Sequence, residues 1–210
     1  MGILDDIGAS LLKGRARPLM EQINTALSDG VSASDILNEG MLPSMSKLGE
    51  LFKNNQVFVP EVMRSAQAFN QALATLKPLM VSENVQTKAT AVIGTVSGDK
   101  HDIGKNLVAI MLQGAGLNVV DLGSEVTAEQ FCDAVEQHDA KIVAMSALLT
   151  TTMPYQGEVI KMLAERGLRD KVKVMVGGAP VTAEFAESIG ADAYTSDAGS
   201  AAEKALEFIG

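Results

Sequence analysis

The hydrophobic period of this chain changes near residue 85, and no single regular architecture can accommodate both halves. Upstream, apolar residues recur at helical spacing. Ile7, Leu11 and Leu12 share one face, and Leu19, Ile23 and Leu27 continue the run until Ser28-Asp29-Gly30 stops it. Ser32 or Ser34 can cap a second helix that Gly40 ends, a third fits 43–52, and a fourth runs from Pro60 to about Met80. Four short antiparallel helices make a bundle over residues 1–82. The polar stretch 83–88 reads as a linker.

From residue 89 to 210 short apolar runs without helical spacing alternate with helical segments. Strands are expected at 89–96, 118–122, 142–146, 172–177 and 193–195. Helices are expected at 103–114, 128–138, 154–166, 183–188 and 200–209. Five such βα units specify a parallel sheet wound on both faces, with the flavodoxin-like, Rossmann-like strand order. Runs that are apolar throughout fit strands buried on both sides. Ligands of such sheets sit above the C-terminal strand ends, so the loops after the first, third and fourth strands carry the functional question.

Composition narrows the classes. With 17 basic against 26 acidic residues the net charge is −9, which disfavours nucleic acid and anionic membrane surfaces as partners. The 47% hydrophobic content suffices for packed cores. The only cysteine, Cys132, excludes an intrachain disulfide and an all-cysteine metal site. No apolar run approaches the ~20 residues of a membrane span. The first residues carry aspartates where a signal peptide carries basic ones, so a cytoplasmic location is expected. Cys132 and His138 lie in a helix away from the strand ends and receive no role.

The loop after the first strand reads Ser97-Gly98-Asp99-Lys100-His101-Asp102-Ile103-Gly104. A glycine-bearing turn into a helix N-terminus commonly cradles phosphate, but this one holds a histidine between two aspartates. Taken alone, His101 would be a surface residue and the aspartates helix caps. The third strand ends in Ser146-Ala147-Leu148, followed by Thr150, Thr151 and Thr152, and the fourth in Gly177-Gly178. Hydroxyls there can cap the next helix, and paired glycines can make a tight turn. Together, however, these features describe a slot lined by small residues with a histidine at its mouth. One histidine does not complete a zinc site, but it can supply an axial ligand to a metal that brings its own macrocycle.

The pattern Asp99-x-His101-x-x-Gly104, then Ser146-x-Leu148, then Gly177-Gly178, with 41 and 28 intervening residues, resembles the signature of cobalamin-binding domains. The preceding bundle resembles the cap module of methionine synthase and of small corrinoid proteins that serve methylamine, methanol, glycine-betaine and aryl methyl ether methyltransfer. The resemblance covers about residues 5 to 208. It implies cobalamin bound with its own base displaced and His101 on cobalt. It also implies Asp99 and Thr152 behind the imidazole, and Gly98, Lys100, Asp102, Ile103 and Gly104 around it. The tail slot would be lined by Ser146, Leu148, Thr150, Gly177 and Gly178, with Ala198 near its end. Phe52, Val59 and Val62, in segments matching the cap, would shield a cobalt-bound methyl group; the alternative for these three is plain bundle core.

The resemblance further implies a carrier cycling between Co(I) and methyl-Co(III), with proton uptake by the Asp99–His101 pair favouring the demethylated state. Its partners would be a substrate-specific methyltransferase, a methyl-acceptor methyltransferase and a reductive activator, and a monomer or weak dimer suits that role. Competing readings are a mutase-type cobalamin subunit, which lacks the four-helix cap, and a cobalamin-dependent regulator or photosensor. The regulator family carries a tryptophan against the upper ligand and a basic DNA-binding domain, whereas this chain has no Trp. A ligand-free flavodoxin-like module would leave the motif spacing to coincidence.

Overall fold

The computed structural model describes residues 2–82 and 88–210, and the chain separates into two compact units, Met1–Gln86 and Thr87–Gly210. Apart from Lys88, the segment read as a linker lies outside the described residues.

The first unit is helical: α1 (Ile3–Leu12), α2 (Ala16–Ser28), α3 (Ala33–Asp35), a π-helical turn (Ile36–Met41), α4 (Leu42–Lys53) and α5 (Val59–Ser82). Two expectations are corrected. The first helical run is broken after Leu12, with Gly14 turning the chain at φ 63°. Gly40 ends no helix, because the chain stays helical from 33 to 53 by way of the π turn. A Cβ on Gly40 would lie 3.2 Å from Ile7 Cγ2 and 3.5 Å from the Leu4 carbonyl oxygen. The glycine therefore serves a close crossing with α1, and the wider π turn passes the chain on to Pro43 without a regular ladder at that point. Ile7, Leu11, Leu19, Ile23, Leu48, Phe69 and Leu76 fill the interior.

The second unit carries five parallel strands: β1 (Thr90–Thr95), β2 (Asn118–Asp121), β3 (Ile142–Ser146), β4 (Lys173–Gly177) and β5 (Ala193–Tyr194). Their order is β2-β1-β3-β4-β5, the flavodoxin-like arrangement expected. Between them run α6 (Ile103–Gly114), α7 (Ala128–His138), α8 (Pro154–Glu165), α9 (Ala183–Ser188) and finally α10 (Ala198–Ile209). Each lies within two residues of its expected bounds. No helix among the described residues is long and apolar enough to cross a membrane.

Strand alternation sorts the two faces. Val92, Val143, Met145, Val174 and Val176 pack with Phe131 of α7 and Val159 and Leu163 of α8. Ala91, Ile93, Ile142, Ala144 and Met175 pack with Ala109 and Leu112 of α6 and Ala201 and Ala205 of α10. By the same parity Thr95, Ser146 and Gly177, which pair in register across β1, β3 and β4, belong to the α6/α10 side.

Beyond the strand ends the loops touch directly. Gly178 has φ 128°, and a Cβ there would fall 1.8 Å from the Ala147 carbonyl oxygen. Its bare Cα is thus used to bring the β3 and β4 loops into backbone contact; on that side there is no open space for a ligand. Gly178→Ala is expected to destabilise the chain by about 3 kcal/mol or more. Urea unfolding checks this, and a loss under about 0.5 kcal/mol would mean that the two loops separate freely.

Candidate functional site

Order in the sheet reverses between β1 and β3, and the site residues gather there. Asp99 lies in the loop after β1 and is fully buried. Its Oδ1 accepts hydrogen bonds from the His101 amide (3.1 Å) and lies 2.7 Å from His101 Nδ1. Its Oδ2 accepts from the Leu148 amide (2.7 Å), the Leu149 amide (3.3 Å) and Thr152 Oγ1 (2.8 Å). Burial alone would push the carboxyl up. The Leu148 amide, His101 and Thr152 outweigh that and hold it well below the ordinary carboxylate range.

An ionised carboxylate only accepts, so the proton between Asp99 and His101 sits on Nδ1. In the neutral imidazole this leaves the lone pair on Nε2, for which the structure provides no hydrogen-bond partner among the described residues. The His101 side chain is 53% exposed. Ile103 at the start of α6, Leu148 and Leu149 in the loop after β3, and Tyr155 in the first turn of α8 are exposed apolar side chains at the same end of the sheet. A ring nitrogen with a fixed lone pair inside an apolar rim can coordinate a metal presented by a large, flat, apolar-faced ligand.

The remaining sequence-derived residues divide. Neither aspartate caps α6: Asp99 is committed as described, and Asp102 stands at the N-cap with no side-chain cap bond. The hydroxyls do not cap α8 either, because its N-cap is Met153 and Thr152 points to Asp99. Gly98, Lys100 and Thr150 are exposed, and Lys100 pairs loosely with Glu125 at 3.6 Å. Ser146 and Gly177 are half-buried at the ends of β3 and β4. Ala198 is buried in the first turn of α10, which Asp197 caps through the Ser200 amide at 2.8 Å.

In the helical unit Phe52 is half-buried and Val59 exposed, but Val62 is completely buried. Val62 faces inward along α5 with Phe69 and Leu76, so here its side chain packs the bundle and presents no surface to a ligand. Phe58 and Met63 are exposed instead.

Several participants carry no motif signal. The amides of Leu148 and Leu149 act through the backbone. Lys105, buried in the first turn of α6, reaches both Asp121 oxygens at 2.6 Å and Asn106 Oδ1 at 2.7 Å, tying the helix to the end of β2. Gln156, fully buried one turn beyond Thr152, donates from Nε2 to the Met145 and Gly177 carbonyls, each at 3.2 Å. A glutamine four residues after Thr152, in step with it by one helical turn, was the available sequence hint.

Residues 89–207 match the family model described as B12 binding domain, and residues 3–77 match a second model of the same description. The chain belongs to the B12-binding corrinoid proteins. It is 37% identical to dimethylamine corrinoid protein 1 of Methanosarcina acetivorans, over 99% of this chain and 97% of that one. Trimethylamine corrinoid protein of Methanosarcina barkeri is 42% identical over 88% of this chain and 86% of that one. Among solved structures, the methanol:cobalamin methyltransferase complex MtaBC from Methanosarcina barkeri superposes with a TM-score of 0.89 at 31% identity. That match covers 99% of this chain and 79% of the other. Cobalamin is accordingly the cofactor of this corrinoid protein.

The residues present fit that group. His101 offers an uncommitted ring nitrogen within an apolar rim, and Gly104, in the first turn of α6, has nothing within 4 Å of where its Cβ would stand. Unlike Gly178, Gly104 is not needed for packing. Gly104→Ala is expected to leave stability unchanged or raise it by up to about 1 kcal/mol. Cobalamin affinity, read by equilibrium dialysis, should fall about tenfold or more; unchanged affinity would remove Gly104 from the cofactor surface.

Because the Asp99 pKa is depressed on folding, its stabilisation is fully present above the unfolded carboxyl value near 3.8 and is lost as pH falls below it. In cofactor-free protein Asp99→Asn is expected to cost about 2 kcal/mol at pH ~7. The gap between variant and wild type in chemical unfolding should narrow below pH ~4. A gap independent of pH would contradict the assignment.

Proposed function

We propose that this corrinoid protein is a methyl carrier that holds cobalamin with the cofactor's own base displaced and His101 Nε2 in its place. It serves a substrate-specific methyltransferase and a methyl-acceptor methyltransferase, with a reductive activator to restore it. The observation that carries this reading is the 2.7 Å contact between His101 Nδ1 and the buried Asp99, which leaves Nε2 as the one uncommitted ring nitrogen. The relatives named as methylamine corrinoid proteins, and the corrinoid complex with a methanol methyltransferase, support the carrier role. Held at this site, cobalamin would supply a cobalt nucleophile for methyl transfer.

The chain's own residues do the rest. Asp99 keeps the proton on Nδ1, orients the ring and raises its basicity toward a metal. Thr152 donates its single hydroxyl hydrogen to Asp99, and the Leu148 and Leu149 amides keep the carboxylate from turning. Ser146 and Gly177, half-buried at the ends of β3 and β4, would line the slot for a displaced nucleotide tail. Ile103, Leu148 and Leu149 cover apolar ring surface and exclude water. Phe52 and Val59 of the helical unit, half-buried and exposed respectively, keep apolar surface of the kind a shield for a bound methyl group would need.

The test is electron paramagnetic resonance of the protein loaded with cob(II)alamin, with and without ¹⁵N-histidine. Axial splitting that changes from a triplet to a doublet on labelling, and disappears in His101→Ala, is the expected result. A splitting indifferent to the label, or retained in His101→Ala, would overturn the histidine-coordinated state.

A further inference from the structure

We infer that Thr95, the last residue of β1, is a positioning residue that fastens the metal-ligating histidine to the sheet; this rests on the proposed role of His101. Thr95 is completely buried, and its Oγ1 donates to the His101 carbonyl oxygen at 2.8 Å. Its own backbone is fixed on both sides: the amide donates to the Gly123 carbonyl at 2.9 Å, and the carbonyl accepts from the Val126 amide at 2.9 Å. Thr95 is therefore part of the rigid sheet, while His101 is not.

The loop is anchored at Asp99, but the stretch just after it, which carries His101, packs against little. Lys100, His101 and Asp102 are exposed, Asp102 makes no side-chain cap, and Ile103 is 70% exposed. Val96 at the start of the loop is buried in the core, but from Lys100 to Asp102 no side chain is, so the position of that stretch depends on polar tethers. Two of these run from His101 to Asp99, only two residues away. They hold the ring and the amide of His101 to the carboxylate, and so only indirectly to the rest of the fold. The Thr95 hydroxyl is the side-chain bond that ties the histidine's backbone directly to a strand residue.

With N–H on Asp99, C=O on Thr95 and Nδ1 on Asp99, every hydrogen-bonding group of His101 except Nε2 is committed. A ligand atom held this way meets its metal with little reorganisation, which is how supporting contacts of moderate strength tune a coordination bond. Removing the hydroxyl lets the loop lift and leaves a carbonyl seeking another donor. The histidine then meets cobalt less often, and because imidazole stabilises Co(II) over Co(I), the potential of that couple rises.

The full chain loaded with cob(II)alamin is compared as wild type, Thr95→Val, Thr95→Ala, Thr95→Ser and His101→Ala. Valine keeps the branched shape that suits the strand end, and alanine removes the same bond should valine fail to fold, as thermal melting will show. Read by the ¹⁵N-histidine-sensitive splitting, the ratio of coordinated to uncoordinated histidine should fall about fivefold in both variants, the weight of one hydrogen bond. Thr95→Ser should restore it, and the Co(II)/Co(I) midpoint should move to a less negative value in Thr95→Val. Wild-type ratios in a folded Thr95→Val or Thr95→Ala protein would overturn the inference alone. Absence of histidine splitting in the wild type would overturn the coordination reading, and this inference with it.

Discussion

A carboxylate with no contact to water is the constraint around which the cofactor end of this protein is arranged. Burying an ionised group is costly unless every acceptor position finds a donor. Asp99 meets that demand from two separate loops, with His101 on one and Leu148, Leu149 and Thr152 on the other. A third loop joins through the Glu125 amide, which donates to the Asp99 carbonyl at 3.0 Å. None of the three can shift far without stranding the charge. The arrangement that settles the Asp99 charge also fixes the His101 tautomer, so one set of bonds serves folding and ligand geometry together.

The sheet makes this convergence possible. Thr95, Ser146 and Gly177 stand side by side in register at the ends of adjacent strands, so their loops start from one line. Gly178 lets the last two loops touch, and Gln156 spans the Met145 and Gly177 carbonyls beneath them. Its Oε1 is buried without a partner among the described residues. This polar edge is held together by donors rather than by apolar packing, which suits a surface that must stay open to a ligand. On the opposite side of the strands, large side chains of α7 and α8 give a conventional core; between the sheet and α6 and α10 the layer is mostly alanine.

Much of this was legible in the sequence because it depends on period and on side-chain type. The change of period near residue 85, the parallel order and the bounds of α6, α7, β3 and α9 follow from apolar spacing and end signals alone. His101, Asp99 and Thr152 stood out as polar groups at the ends of apolar strands, and the structure brings them together. Misread features are those whose meaning lies in a distant neighbour. Gly40 reads as a stop until α1 is seen crossing it, and Val62 reads equally as shield or bundle core until its burial is known. Thr95 was hidden inside an apolar run, where a hydroxyl carries no local sign that it reaches a carbonyl six residues ahead. The Leu148 and Leu149 amides carry no sequence signal, since every residue but proline has one.

Where the protein leaves large apolar side chains uncovered is the remaining clue to how its two units work. In the α/β unit the exposed ones are Ile103, Leu148, Leu149 and Tyr155, all at the strand ends that hold His101. In the helical unit Phe58, Val59 and Met63 cluster at the start of α5, with Leu79 far along the same helix. With 17 basic and 26 acidic residues the chain has charged side chains enough to cover such places, and apolar exposure gathered in patches marks surfaces meant to be covered. Helical spacing explains the division within α5: Val59 and Met63 lie one turn apart on the outside, while Val62, Ala66 and Phe69 face the interior. Glu61 accepts from the Phe58 amide at 2.9 Å, which anchors the backbone of the most exposed aromatic residue at the helix entry. Each unit thus keeps a finished core and, apart from it, an apolar surface that its own fold does not use.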